Sequence, residues 1–310
     1  MRTTFIETLC EIAAEDERVW LLNGDLGYSV LERFSARFPS RSVNVGVAEQ
    51  NMTGVAAGLA FCDKIVFTYS IANFPTLRCL EQIRNDVCYH NLNVKVVAVG
   101  GGLAYGAQGY THHAIEDLAI MRSLPNMSVI APGDPEETRA AVRAAVETPG
   151  PCYLRLGKAG EPAVHTKPPA FTRGKAIKIR DGEEAAILST GGMLKTAADA
   201  VALCAAQGRN VALYSMPWVK PLDEELVREL SRRVPLVVTV EEARASGGLG
   251  GAVAEVLAGE RGTRARLLRL GFEDEQISDV LLHTIHTQEG ARARLSLDAA
   301  GLASRVLENL

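Results

Sequence analysis

The chain has 310 residues, 47% hydrophobic and 23% charged, with a formal net charge of −4. That is an ordinary globular balance with length enough for two domains, and it offers no basic surface for nucleic acid. Aromatic residues make up 5%, too few for base-stacking platforms. Six cysteines (Cys10, Cys62, Cys79, Cys88, Cys152 and Cys204) are scattered without a C-x-x-C pair. They predict small buried hydrophobes in a reducing compartment, not a disulfide or zinc framework. The N-terminus lacks an apolar signal core and no run reaches the length of a membrane span, so the expected location is cytoplasmic.

Helix and strand patterns alternate along the chain. Residues 3–16 predict an opening helix and Val19–Asn23 a buried strand. Strand patterns follow at 43–47, 64–69, 94–100, 127–131 and 152–156, with helix patterns at 50–61, 76–90, 114–122 and 135–147. Residues 157–173 break the rhythm with Gly, Pro and Lys, a linker composition. Alternation then restarts, with strands at 185–189, 211–215, 236–240 and 265–270 and helices at 192–207, 223–232 and 249–258. The predicted fold class is α/β: two doubly wound domains with parallel sheets, 1–160 and a smaller 185–310, joined by a linker at 161–184.

One carboxylate stands out. Val43, Val45 and Val47 predict a short buried strand, and Glu49 follows at the mouth of an apolar helix whose glycines, Gly54 and Gly58, allow close approach. Burial raises a carboxyl pKa, which lets it give and take protons near neutrality. The same position also suits a plain anion at a helix N-terminus. Further on, the glycine-rich loop Gly100–Gly109 follows a strand and precedes a helix, the placement of a ligand loop. It has neither P-loop nor Rossmann spacing. His112 and His113 come next. Adjacent side chains diverge, so the pair is poorly placed to share a metal, and a histidine bonded to a ligand in a glycine-lined cleft fits better. No metal ligands are expected in this chain.

Four segments occur in order: Asn44–Asn51 (NVGVAEQN), Phe67–Phe74 (FTYSIANF) with Arg78–Arg84 (RCLEQIR), Gly109–Asp117 (GYTHHAIED) with Arg122–Met127 (RSLPNM), and Val219–Asp223 with Glu241–Ala252 (EEARASGGLGGA). Together they resemble transketolase, its pyrimidine-binding domain followed by its C-terminal domain, over essentially the whole chain. The family's diphosphate motif, Gly-Asp-Gly followed later by Asn, is missing, since Asn23-Gly24-Asp25-Leu26 lacks the pattern. The resemblance therefore implies one subunit of a split transketolase that moves a two-carbon ketol unit from a ketose (phosphate) donor to an aldose acceptor. Thiamine diphosphate would be the cofactor. A separate N-terminal section would hold the diphosphate and Mg²⁺ in an α₂β₂ assembly.

The resemblance also implies site roles. Glu49 would exchange a proton with a ring nitrogen of the cofactor's pyrimidine, with Gln50 beside it. Phe74 would stack on that ring, with Phe67 and Tyr69 as weaker candidates. His112 would face the substrate and shuttle protons, and Arg155 would grip a substrate phosphate through its bidentate fork. Three departures bear on specificity: Gln108 stands where many relatives carry an aspartate, Tyr110 replaces a common proline, and Gly100 falls near the place of a histidine that often helps bind phosphate in the family and is missing here. They point away from the usual pentose phosphates. Two alternatives remain open from sequence, the β subunit of a 2-oxo acid dehydrogenase and a non-catalytic paralogue.

Overall fold

A computed structural model describes residues 1–310. The strands are β1 (Val19–Asn23), β2 (Ser42–Asn44), β3 (Ile65–Ile71), β4 (Val94–Val99), β5 (Ser128–Ile130), β6 (Cys152–Leu156), β7 (Ile177–Arg180), β8 (Ala185–Ser189), β9 (Val211–Ser215), β10 (Trp218–Lys220), β11 (Leu236–Arg244) and β12 (Arg266–Phe272). The first half carries helices α1 (Arg2–Glu15), α2 (Glu32–Arg37), α3 (Glu49–Phe61), α4 (Leu80–Gln82), α5 (Asp117–Ser123) and α6 (Pro135–Glu147). The second half carries α7 (Leu194–Ala206), α8 (Glu224–Arg233), α9 (Leu249–Ala258), α10 (Asp274–Gln276), α11 (Gln288–Arg294) and α12 (Ala299–Leu307).

Two sheets result, ordered β10-β5-β6-β4-β3-β1-β2 and β12-β11-β8-β9-β7. All pairings are parallel except the edge strands β10 and β7. Every residue of β4 is buried, as expected of a central parallel strand covered on both faces. On one face of the first sheet α1 and α6 bury Phe5, Leu9 and Val142 against Phe67 and Leu154. On the other, α3 and α5 bury Met52, Ala56 and Leu118 against Leu22 and Val66. The second sheet is covered likewise, by α7 and α12 on one face and α8 and α9 on the other.

The expected two-domain α/β plan is present, with three adjustments. First, β7 lies inside the stretch expected to be linker, so the second sheet begins at Ile177. Its half-buried, alternating side chains carry a weak hydrophobic signal. Second, the expected helix at 76–90 is wound as wide π turns at Phe74–Arg78 and Ile83–Cys88 around the short α4. Third, the strand expected at 43–47 ends at Asn44. Gly46 takes φ +74°, which turns the chain outward and leaves Val47 74% exposed. Helix α3 is also covered on one side only: Asn51, Gly54, Val55 and Gly58 form an exposed stripe.

Candidate active site

Glu49 opens α3 and is only 2% exposed. Its Oε2 accepts a hydrogen bond from Nη1 of Arg78 at 2.8 Å. Its Oε1 accepts none from the chain and faces Gly24, where even a methyl group would lie 3.8 Å away. Thus the carboxyl is buried, with one oxygen held by a guanidinium. Arg78 also lies over the Phe74 ring, 5.1 Å from its centroid. The edge of the His112 ring meets Phe74 with centroids 5.2 Å apart. Glu49, Arg78, Phe74 and His112 therefore form one continuous patch drawn from α3, the first π turn and the glycine-rich loop.

That loop is well fixed. Gly102 and Ala114 exchange hydrogen bonds of 2.8 and 3.0 Å across its neck. Gly109, at φ +79°, starts the single turn Tyr110–His112. The Asn73 amide donates to the Thr111 carbonyl at 2.7 Å, tying the loop to the Phe74 segment. His112 points outward and contacts Thr111 Oγ1 through Nδ1 at 3.1 Å. His113 points inward and is 4% exposed, with the Gly106 backbone within hydrogen-bonding reach of its ring. Burial lowers the pKa of His113, so the ring is neutral.

Two candidates for the cofactor face lie elsewhere. Phe67 and Tyr69 are fully buried and pack on Phe5 of α1, at centroid distances of 6.0 and 5.8 Å. Side chains alternate along β3, so both point away from α3. Gln50 is exposed and makes no hydrogen bond within the chain. Gln108 is exposed on the rim of a cleft of about 510 Å³ between the two halves, whose walls include Arg155, Lys158, Lys195, Glu242 and Arg292.

Arg155 also departs from its expected role. It is 5% exposed, and its Nε and Nη2 bind the Asp117 carboxylate at 2.7 and 3.2 Å. Nη2 also donates to the carbonyls of Ala114 and Glu242. Nε and Nη2 are thus committed inside the chain and tie the two halves together, while Nη1 has no partner there and Arg155 forms part of the cleft wall. Asp117 also accepts from the Tyr153 hydroxyl at 2.7 Å. Sequence reasoning missed Arg78 and Asp117 as partners because 29 and 38 residues separate them from the groups they bind.

The chemistry of this patch fits the pyrimidine of thiamine. Such a ring needs a carboxyl oxygen at a ring nitrogen and an aromatic plane beneath it. The free Oε1 of Glu49 and the half-buried Phe74 supply these two elements. No group of three His, Cys, Asp or Glu side chains is arranged to hold a metal ion.

Comparison with known proteins bears directly on this patch. The family model of the transketolase pyrimidine-binding domain matches residues 1–160, and that of the transketolase C-terminal domain matches 174–288. This chain belongs to the transketolase family. It is 35% identical to an apulose-4-phosphate transketolase subunit of Phocaeicola vulgatus, over 99% of this chain and 96% of that protein. It is 40% identical to a 6-deoxy-6-sulfo-D-fructose transketolase subunit of a Clostridium species, over 88% and 85%. A solved split-gene transketolase, described as an inactive beta4 tetramer, superposes with a TM-score of 0.88 at 37% identity, covering 99% of this chain and 96% of that one. The present transketolase chain is thus the C-terminal section of the split form, a subunit of a thiamine diphosphate-dependent transferase. These relatives favour transketolase over the dehydrogenase β subunit.

Proposed function

We propose that this chain works with a second polypeptide carrying the diphosphate-binding domain, and that the pair transfers a two-carbon ketol unit from a ketose donor to an aldose acceptor. The supporting observation is a buried carboxyl with one uncommitted oxygen, set beside a half-buried aromatic ring, in a chain without a diphosphate motif. Thiamine diphosphate, when bound, supplies the carbanion chemistry that carries the ketol unit. Oε1 of Glu49 holds the proton exchanged at a pyrimidine nitrogen. Phe74 supports the ring plane and limits water. His112, at the outer edge of Phe74, binds sugar oxygens and moves protons to and from them. Gln108 reads the acceptor as a neutral donor and acceptor.

Mg²⁺ and the diphosphate are assigned to the partner, in an α₂β₂ assembly. The enzyme is proposed to work in the cytoplasm, where its six free thiols stay reduced. Apulose-4-phosphate and 6-deoxy-6-sulfo-D-fructose, named for two relatives, are a branched and a sulfonated sugar. With Gln108, Tyr110 and Gly100 in this chain, they support a modified or branched substrate over an ordinary pentose phosphate.

The test is reconstitution. The chain is mixed with the product of the reading frame that encodes the diphosphate-binding section, plus Mg²⁺ and thiamine diphosphate. The pair transfers ketol units and neither chain does so alone. Decarboxylation of pyruvate in place of ketol transfer would overturn the reading.

A further inference from the structure

A buried carboxylate is rarely left without a counter-charge, and Glu49 has one cation, Arg78. The pair is lopsided. The Glu49 side chain is 2% exposed and that of Arg78 is 49% exposed. Arg78 spends Nη1 on Oε2 of Glu49 at 2.8 Å, and makes no other hydrogen bond within the chain. An arginine that serves only to pair a carboxylate frequently takes both oxygens through its fork. Here one oxygen is held and the other is left open.

The surroundings of the guanidinium account for that arrangement. Arg78 closes the π turn Phe74–Arg78, a kind of winding that recurs at functional sites. Its guanidinium lies over the Phe74 ring, 5.1 Å from the centroid and within cation–π range. Arg78 is thus bonded to the carboxyl at one end and laid on the aromatic ring at the other. Glu49 is steadied from its own helix as well, since Thr53 Oγ1 donates to its carbonyl at 3.0 Å. On the remaining side stands Gly24, where an added Cβ would come within 3.6 Å of Glu49 Cγ. Phe74 and Arg78 both line a cleft of about 360 Å³, so the clamp faces open space.

We infer that Arg78 is the positioning residue of the proton-exchanging carboxyl: by holding Oε2 of Glu49 while lying on Phe74, it fixes Oε1 in place for the pyrimidine that Phe74 supports. This role rests on the transketolase reading and deepens it. Rigid placement matters at such a relay, because a misplacement of about 1 Å can cost about 100-fold in rate. A merely structural ion pair would not carry that dependence. A substrate contact through the free Nε and Nη2 would act only with sugar present.

The experiment separates these roles. It uses the reconstituted pair with Mg²⁺ and thiamine diphosphate, and follows deuterium exchange at the thiazolium carbon of the bound cofactor by proton NMR after acid quench, with no sugar present. Arg78→Met keeps a stem of similar length over Phe74 and removes the guanidinium. It slows this exchange by about tenfold or more, while the cofactor Kd from calorimetry and the KM for β-hydroxypyruvate stay within about fivefold of wild type. Arg78→Lys restores part of the exchange rate, because it keeps the charge and loses the planar group that lies on Phe74. If the methionine variant does not assemble, the lysine variant carries the test, with exchange slowed by about threefold or more. Exchange at the wild-type rate in the variants that assemble overturns the inference, and so does a raised KM with unchanged exchange. Both results leave the transketolase reading standing. A wild-type pair that binds no thiamine diphosphate overturns both.

Discussion

At the scale of single residues, burial and pairing decide between the functional and the bland reading of each charged group. Glu49 is buried and keeps one uncommitted oxygen, whereas Arg155 is buried with Nε and Nη2 committed to the chain. The sequence identified both positions and could not tell them apart, because the distinguishing partners, Arg78 and Asp117, are brought in by tertiary folding. The consequence for Arg155 is testable. Asp117→Asn leaves a buried guanidinium facing a neutral amide, and removing one partner of a buried ion pair costs about 3–5 kcal/mol. Urea unfolding is expected to show a loss of that size, and a loss under about 1 kcal/mol would mean that the buried pair contributes little to stability. Phe67 and Tyr69 teach a related lesson. Their side-chain direction follows from the period of two in β3, and which face carries α3 is settled only by the packing.

At the scale of elements, the long periodic segments were legible and the short or irregular ones were not. The bounds of α6, β6, β8, β9 and α9 match the hydrophobic pattern because each carries a strong apolar face or a continuous buried run. The edge strands β7 and β10, three or four residues long, carry too little pattern to stand out. The linker is informative for a different reason, since it is pinned to the first domain at Asp134. The backbone amides of Val164 and His165 and the His165 ring all bond Asp134 Oδ2, at 2.8–3.0 Å. Asp134 also caps α6 through the Glu137 amide. Burial alone would raise the Asp134 pKa, but these hydrogen bonds pull it from 3.8 down to about 2. The stabilisation, about 2 kcal/mol, is full above pH 3.8 and is lost as the pH falls toward 2. His165 runs the other way. Burial lowers its pKa, the Asp134 and Glu137 carboxylates outweigh that, and the net shift is upward from 6.5. Its contribution is complete below 6.5 and fades as the pH rises through its folded value. Thermal unfolding across pH should therefore show Asp134→Asn losing about 2 kcal/mol at neutral pH and a flatter acid limb. An unaltered acid limb would remove this account of the linker.

At the scale of the whole molecule, the two halves are distinct in sheet topology yet tied into one body. Strand β10 comes from the second half in sequence and pairs with β5 of the first sheet. The Lys220 ammonium donates to the Arg122 and Leu124 carbonyls, and Arg155 reaches the Glu242 carbonyl. Calorimetry of the intact chain should give one cooperative transition, with calorimetric and van't Hoff enthalpies in agreement, and two separated transitions would contradict it. The exposed stripe of α3 lies on the helix that Glu49 opens. The central claim is that this chain contributes the proton-exchanging carboxyl to a site completed by a partner. The most direct measurement is ketol transfer by the reconstituted pair carrying Glu49→Gln, with thiamine diphosphate binding followed in parallel by calorimetry. The variant should still assemble and bind cofactor while turnover falls by about 10²–10⁴-fold; turnover within a few-fold of wild type would contradict the account.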